Sequence, residues 1–197
     1  MRRSWIILLL MFIALTPYID AQTYADQLRC SNPLSFDGPR GDAVGRGDLS
    51  LGLEYDSPTA PDDGPILGTL ITEEKPWSVG GSGTMTLTTN QPIWIESLLV
   101  PEGAYSLFFL LSKGNLVLIV NKEQKREAAY DARKDLGRVV MRAAPSANCS
   151  VFTLNFPFLV WDGTKRQTGL SASEIPRLLL SLAWREANYE VPIIVKR

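Results

Sequence analysis

Apolar and polar side chains alternate over many short stretches of the chain, and this period of two predicts β-strands rather than helices. The clearest case runs from Leu49 to Tyr55, where a large apolar side chain occupies every second position. The same signal, often with β-branched or aromatic residues, predicts further strands at 84–88, 92–99, 139–141, 151–156, 178–184 and 191–195.

Two continuous apolar runs predict a hairpin of well-buried strands. They cover 105–111 and 116–120 and flank Lys113-Gly114-Asn115, a sequence typical of a tight turn. Residues 185–190 are expected to connect the last two strands. Only 122–134 has helical propensity, and its apolar face is thin, so we expect at most one short surface helix or a wide loop there.

About nine strands and little helix predict an all-β fold, an antiparallel β-sandwich of jelly-roll-like character. A closed β-barrel is the alternative. The folded domain is expected to span 48–197. The preceding segment, 22–47, is rich in Gly, Pro, Asp and Arg and has little periodicity, so it is predicted to be an irregular N-terminal arm.

The first 21 residues have the three regions of a secretory signal peptide. Arg2 and Arg3 supply the positive start, Trp5 to Leu15 is apolar, and Ala21 is a suitable last residue before cleavage. The apolar run is shorter than the roughly 20 residues that cross a bilayer. We therefore expect a cleaved signal, no transmembrane segment in the mature chain, and a secreted or periplasmic location.

Charge and composition narrow the possible chemistry. The chain has 20 Lys and Arg against 21 Asp and Glu, so no basic surplus points to a nucleic-acid partner. It contains no His, which removes the commonest general base, the commonest metal ligand and every Ser-His or Cys-His pair. No cofactor and no metal site are predicted.

Two cysteines lie in the part of the chain that is expected to be exported. In an oxidising compartment Cys30 and Cys149 can form a disulfide that closes a loop of about 120 residues. Two unpaired thiols are the alternative, because sequence spacing alone does not determine connectivity.

Four polar residues between two predicted strands form the first candidate site. Tyr130, Asp131, Asp135 and Arg138 are suited to a structural ion pair that tethers a loop. Alternatively, Tyr130 and Asp131 bind a hydroxyl of a sugar or peptide, or Asp131 and Asp135 hold a hard cation. The spacing does not match a known calcium loop.

The second candidate is the Gly-rich stretch from Trp77 to Thr84. Because it leads into a strand rather than a helix, it is predicted to be a tight turn or β-bulge and not a phosphate cradle. Its functional interpretation is a binding loop in which Trp77 is a stacking floor and Ser78 and Ser82 are polar contacts.

Two further patterns have mainly structural interpretations. Arg40-Gly41-Asp42 and Arg46-Gly47-Asp48 repeat an adhesion tripeptide, although the segment is rich in all three residues. The adjacent carboxylates Asp62-Asp63 and Glu73-Glu74 are interpreted as solvated charges, because neighbouring side chains diverge whereas glycoside hydrolysis needs a fixed separation.

Five blocks stand in order between residues 48 and 197: Trp77-Ser78-Val79-Gly80, the stretch from Val100 to Phe108, Val120-Asn121-Lys122, Ala129-Tyr130-Asp131 and Trp184-Arg185-Glu186. In these blocks the chain resembles the family called domain of unknown function 2911, which occurs in exported bacterial proteins. The resemblance implies a β-sandwich-like domain and no established activity. Ser78, Ser82 and Gly83 stand where the family usually has Arg, Asn and Glu, which marks this member as diverged.

The function is therefore unknown from sequence, and three hypotheses follow. The first is an exported, non-enzymatic β-sandwich that binds a small molecule, a glycan or a protein, or assembles at the envelope. The second is an envelope hydrolase that acts through carboxylates, and the third is adhesion through the Arg-Gly-Asp tripeptides.

Overall fold

The protein forms two packed antiparallel β-sheets, which confirms the predicted all-β sandwich. The computed structural model describes Cys30, residues 49–56, Pro58 and residues 64–79, 85–123, 130–156 and 178–194, and the backbone of 40–46. The predicted signal peptide, Ser82, Gly83, Asp62-Asp63 and most of the N-terminal arm lie outside the described residues.

Sheet 1 contains six strands in the spatial order β1-β2-β3-β6-β7-β8. Their bounds are β1 Arg40–Arg46, β2 Leu49–Tyr55, β3 Met85–Thr89, β6 Gly103–Ser112, β7 Asn115–Asn121 and β8 Asp135–Val140. A 3-10 helix, Ala132–Lys134, precedes β8 and is the only helical turn between 130 and 156.

Sheet 2 has the order β10-β11-β12-β4-β5, and β9 also pairs with β12. The strands are β4 Ile93–Ile95, β5 Leu98–Val100, β9 Arg142–Ala143, β10 Thr153–Asn155, β11 Leu178–Trp184 and β12 Ala187–Ile194. The inner faces of the two sheets enclose the core, and many of its side chains have no exposed surface, among them Leu51, Leu87, Leu107, Phe109, Leu118, Leu180 and Ile193.

The β6–β7 hairpin is confirmed, with Ser112 opposite Asn115 at its turn. Its continuous apolar runs have a direct cause. Leu107 and Phe109 face the main core, whereas four residues of the same hairpin form a second apolar cluster on the opposite face of sheet 1: Phe108, Leu110, Val117 and Ile119. Strands that are buried on both faces do not show polar alternation.

Three expectations about local structure were wrong. The arm is not irregular throughout, because 40–46 pairs with β2 from Arg40–Tyr55 to Arg46–Leu49. Pairing at a sheet edge uses backbone groups and needs no apolar pattern. The expected strand at 92–99 is two strands joined at Glu96, and the connection at 185–190 is only the turn of Arg185 and Glu186.

Both misjudged turns have the same physical cause. Glu96 has a φ of 53° and Arg185 a φ of 50°, which is the left-handed region. Gly, Asn or Asp usually marks this conformation in a sequence. Because Glu96 and Arg185 adopt the left-handed conformation here, no Gly, Asn or Asp in the sequence indicates the two turns.

Gly137 allows the two sheets to approach along the side where β8 meets β5. A Cβ at this position would lie 3.1 Å from Leu98 Cδ2 and still closer to Cδ1. We expect Gly137→Val to lower the free energy of unfolding by about 2 kcal/mol, because it overpacks this contact.

A double-mutant cycle with Leu98→Ala measures that contact. Because the smaller side chain leaves room for valine, Gly137→Val is expected to cost less than about 0.5 kcal/mol in the Leu98→Ala background. Denaturant unfolding of the four proteins provides the comparison. Equal costs in both backgrounds contradict the overlap.

Candidate functional site

Tyr130, Asp131, Asp135 and Arg138 come together where the chain crosses from β7 to β8. The group lies on the outer face of sheet 1, because the Tyr130 ring packs edge-on against Phe108 of the second apolar cluster, with 5.1 Å between ring centroids. We call these four residues and Asn121 the polar cluster.

Asp135 is the centre of the polar cluster. Its Oδ2 accepts hydrogen bonds from the Tyr130 hydroxyl at 2.8 Å and from Arg138 Nε at 2.9 Å. Its Oδ1 accepts a third hydrogen bond from Asn121 Nδ2 at 2.8 Å. Arg138 Nη2 also donates to the Tyr130 oxygen at 2.7 Å, which closes a triangle. The charge-assisted bonds hold the carboxylate in one geometry.

Asn121 belongs to this site and was missed in the sequence. It is fully buried, its Nδ2 also donates to the Asp131 carbonyl at 3.0 Å, and its Oδ1 accepts from the Glu123 main chain at 2.9 Å. A buried amide needs such partners. The available signal was an amide at the end of the apolar run of β7, where the pairing with β8 is also irregular.

Asp131 faces Arg133 rather than Asp135. Its Oδ1 accepts from the main chain and from Nε of Arg133, both at 3.0 Å, and its Oδ2 accepts from Nη2 at 2.9 Å. The side chain thereby caps the 3-10 helix. The hydrogen bonds from Arg133 lower the pKa of Asp131.

The two Asp side chains do not form a cation site, because each is engaged by its own Arg. Over the described ranges, no group of three or more His, Cys, Asp or Glu residues is placed to hold a metal ion. The polar cluster presents hydrogen-bond donors and acceptors on a rigid strand margin, an arrangement suited to recognition.

Burial raises the pKa of Tyr130, and its hydrogen bond to Asp135 raises it further. We therefore expect wild type to be about 1 kcal/mol more stable than Tyr130→Phe at neutral pH. A raised pKa of the folded state means that this difference is complete below pH 10 and disappears as pH rises through the folded pKa. Urea unfolding of both proteins from neutral pH upward measures it, and a constant difference contradicts the hydrogen-bonded pair.

Trp77 is not brought together with the polar cluster. Its main chain exchanges two hydrogen bonds with Phe109, at 2.7 and 2.8 Å, and its ring lies 5.7 Å from the rings of Phe152 and Trp184. It therefore packs, partly buried, against the main core, whereas Tyr130 lies across sheet 1 on the outer face. Ser78 beside it has a buried hydroxyl that makes no hydrogen bond within the described part of the chain.

The two cysteines are joined in the structure. Cys30 and Cys149 form a disulfide with 5.4 Å between their Cα atoms. The Cys149 carbonyl also accepts a hydrogen bond from the Arg185 main chain at 2.6 Å. The disulfide thus ties residue 30 to the end of the sandwich that contains the β11–β12 turn.

The remaining residues that the sequence singled out have structural roles. Arg40, Gly41 and Asp42 lie within β1 and are paired with β2, so the first tripeptide is not in a loop. Glu73 accepts a hydrogen bond from the Lys113 main chain, and Glu74 accepts one from the Ser112 hydroxyl at 2.6 Å. Both carboxylates are exposed, as expected of solvated charges, and they also hold the turn of the β6–β7 hairpin.

A shallow groove lies apart from the polar cluster, in sheet 2. It is lined by Glu96, Ser97, Arg142, Pro192 and Ile194. Arg142 Nη2 donates to Glu96 Oε1 at 2.7 Å, and both side chains are exposed enough for water to weaken the pair. This exposed Arg offers a matched control for variants in the polar cluster.

Comparison with known proteins adds a family. The family model described as "Protein of unknown function (DUF2911)" matches residues 42–170. No curated protein and no solved structure matches the chain. Among the described residues, no helix has the length and apolar character needed to cross a membrane.

Proposed function

The chain belongs to the DUF2911 family, whose function is unknown, and we propose that it is an exported, non-enzymatic binding module of the cell envelope. The polar cluster is its recognition surface. One observation carries the proposal: Tyr130, Asp135 and Arg138 are held in one fixed geometry at the solvent side of sheet 1. Such preorganised polar groups lose little conformational entropy when a partner binds.

The location rests on the sequence. Arg2, Arg3 and the apolar run from Trp5 to Leu15 have the pattern of a cleaved signal. The disulfide between Cys30 and Cys149 is consistent with an oxidising compartment. Expression of the full chain in a bacterial host tests this step: a mature N-terminus near residue 22 in the exported fraction supports it, and an intact N-terminus in the cytoplasm contradicts it.

The competing hydrolase is less well supported by the geometry. Carboxylate-dependent glycoside hydrolysis uses a general acid with a raised pKa and a second carboxylate across the scissile bond. The pKa of Asp131 is lowered by Arg133, so this side chain is a poor proton donor. Asp135 already accepts three hydrogen bonds and is committed to its neighbours.

Adhesion through the first tripeptide is also weakened, whereas Gly47 and Asp48 of the second lie outside the described residues. The backbone of Arg40, Gly41 and Asp42 is extended and paired with β2. Recognition of a short peptide motif usually relies on an exposed loop. This leaves the polar cluster as the better supported recognition surface.

Binding to a panel of purified envelope glycans tests the proposed function. We expect Arg138→Ala to weaken binding about tenfold, because it removes an exposed donor and releases Tyr130 and Asp135. Arg142→Ala is the control, since it removes an exposed, ion-paired Arg from sheet 2. Thermal unfolding of both variants separates lost binding from lost folding.

Two results contradict the proposal. One is equal binding by wild type and Arg138→Ala with both proteins folded. The other is release of a product from any glycan in the panel that Asp131→Asn abolishes, which supports the hydrolase instead.

A further inference from the structure

We infer that the partner of the polar cluster is an acidic polysaccharide, a polymer that carries carboxylates along a chain of hydroxyl-bearing sugars. The inference rests on the proposed function and deepens it by naming the chemical class of the partner. It depends on how charge is arranged in the described residues of the crossover from β7 into β8, 122–123 and 130–138, which we call the crossover segment.

Charges in the crossover segment are layered, with acids beneath and bases outside. The side chains of Asp135, Glu123 and Asp131 are 13%, 14% and 27% exposed. Their basic partners Arg138, Lys134 and Arg133 are 45%, 46% and 89% exposed. The carboxylates position the cations, and the cations are the charges nearest to an approaching partner.

Each Arg keeps part of its guanidinium for another ligand. Arg133 uses Nε and Nη2 on Asp131, and Arg138 uses the same two atoms on Asp135 and Tyr130. Within the described ranges, neither Nη1 group has a hydrogen-bond partner. A guanidinium has five N–H donors, so a held Arg can still bind a second carboxylate.

The amino-acid sequence shows the same asymmetry. Residues 122–123 and 130–138 contain four Lys or Arg and three Asp or Glu, a net charge of +1 in a chain whose net charge is −1. The crossover segment is therefore a basic region on an otherwise acidic protein. Such a region attracts anionic partners and raises their association rate.

The partner is inferred to be a polymer because the individual contacts are weak. An exposed ion pair contributes at most about 1 kcal/mol, so a single small anion would bind poorly. A polymer that engages several cations at once gains from effective concentration. The polar cluster lies on an open strand face, where a long chain has access.

A polysaccharide fits better than a densely charged phosphate polymer. The acidic layer is close to the surface, since the Asp131 carboxylate is still partly exposed, and it repels a partner with closely spaced charges. Sugar hydroxyls can instead donate to that carboxylate while uronate groups accept from the Arg side chains.

Affinity electrophoresis with three polymers tests the inference. The gels contain polygalacturonate, neutral dextran or polyphosphate. We expect the full-length, folded protein to be retarded by polygalacturonate at low salt. Raising the salt from about 0.01 M to about 0.15 M shortens the Debye length from about 30 Å to about 8 Å and should release most of the protein.

The matched variants carry equal charge changes. Arg133→Gln with Lys134→Gln removes two outer cations, and we expect about tenfold weaker binding to polygalacturonate. Lys75→Gln with Arg142→Gln removes two exposed cations elsewhere and should bind within about twofold of wild type. Both pairs keep the Asp135 hydrogen bonds, so folding is expected to be unchanged.

The outcomes separate this inference from the proposed function. Equal weakening by both double variants, or stronger retardation by polyphosphate, overturns the acidic polysaccharide as partner. Binding to dextran that depends on Arg138 but not on salt also overturns it and leaves the proposed function standing. No retardation in any gel, together with no binding in the glycan panel, overturns both.

Discussion

Phe152→Ala is expected to lower the free energy of unfolding by about 3–5 kcal/mol, the range for truncating a large buried aromatic side chain. Phe152 has no exposed surface and lies at the centre of an aromatic group. Its ring centroid is 5.4–6.4 Å from those of Tyr55, Trp77, Phe109 and Trp184. These four residues contact Phe152 from both sheets and from the segment before β3. The cavity left by removing its ring is therefore held open by several elements and cannot easily collapse.

Denaturant unfolding monitored by tryptophan fluorescence measures this effect. Leu99→Ala is the control, because Leu99 is 44% exposed and should change the free energy of unfolding by less than about 0.5 kcal/mol. Phe152→Leu should lower the free energy of unfolding by an amount between those of Phe152→Ala and Leu99→Ala. A loss below about 1 kcal/mol for Phe152→Ala means that the sheets do not close over this aromatic group.

Removing the disulfide is expected to have a similar effect, about 4–5 kcal/mol. Cys30 and Cys149 are separated by 119 positions, and a cross-link across so long a loop greatly restricts the unfolded chain. The variant Cys30→Ser with Cys149→Ser should unfold at correspondingly lower denaturant concentration. Wild type with its disulfide reduced should match it to within about 1 kcal/mol, the difference due to serine at the buried position 149.

Thiol labelling provides the direct check of the link. Unfolded wild-type protein should react with no alkylating reagent before reduction and at two thiols after reduction. Labelling of two thiols without reduction contradicts the link. If the link is present and the serine variant is equally stable, the chain-entropy explanation is wrong.

The strands with one buried face were predictable, because burial imposes a period of two. Alternation marked β2, and the turn residues marked the β6–β7 hairpin. β1 could not be predicted from the sequence, because pairing at a sheet edge depends on backbone groups and leaves no pattern in the side chains. The turns at Glu96 and Arg185 were hidden because their left-handed conformation occurs without Gly or Asn.

The candidate site was predictable only within one short segment. Tyr130, Asp135 and Arg138 are close in the chain, so their shared cluster followed from spacing. The side chain of Asp131 instead bonds to Arg133, which the spacing did not indicate. Asn121 comes from another strand, and only the pairing of β7 with β8 brings it to Asp135. The face on which Trp77 lies was likewise not available from sequence, because it depends on a backbone contact with Phe109.

Hydrogen exchange of the protein with and without polygalacturonate tests the central claim most directly, because it maps a recognition surface on the whole chain. Slower exchange confined to 121–123 and 130–138 is the result that a recognition surface at the polar cluster predicts. Protection at the groove of Glu96 and Arg142 with no change at 130–138 contradicts it, as does cleavage of the glycan during the measurement.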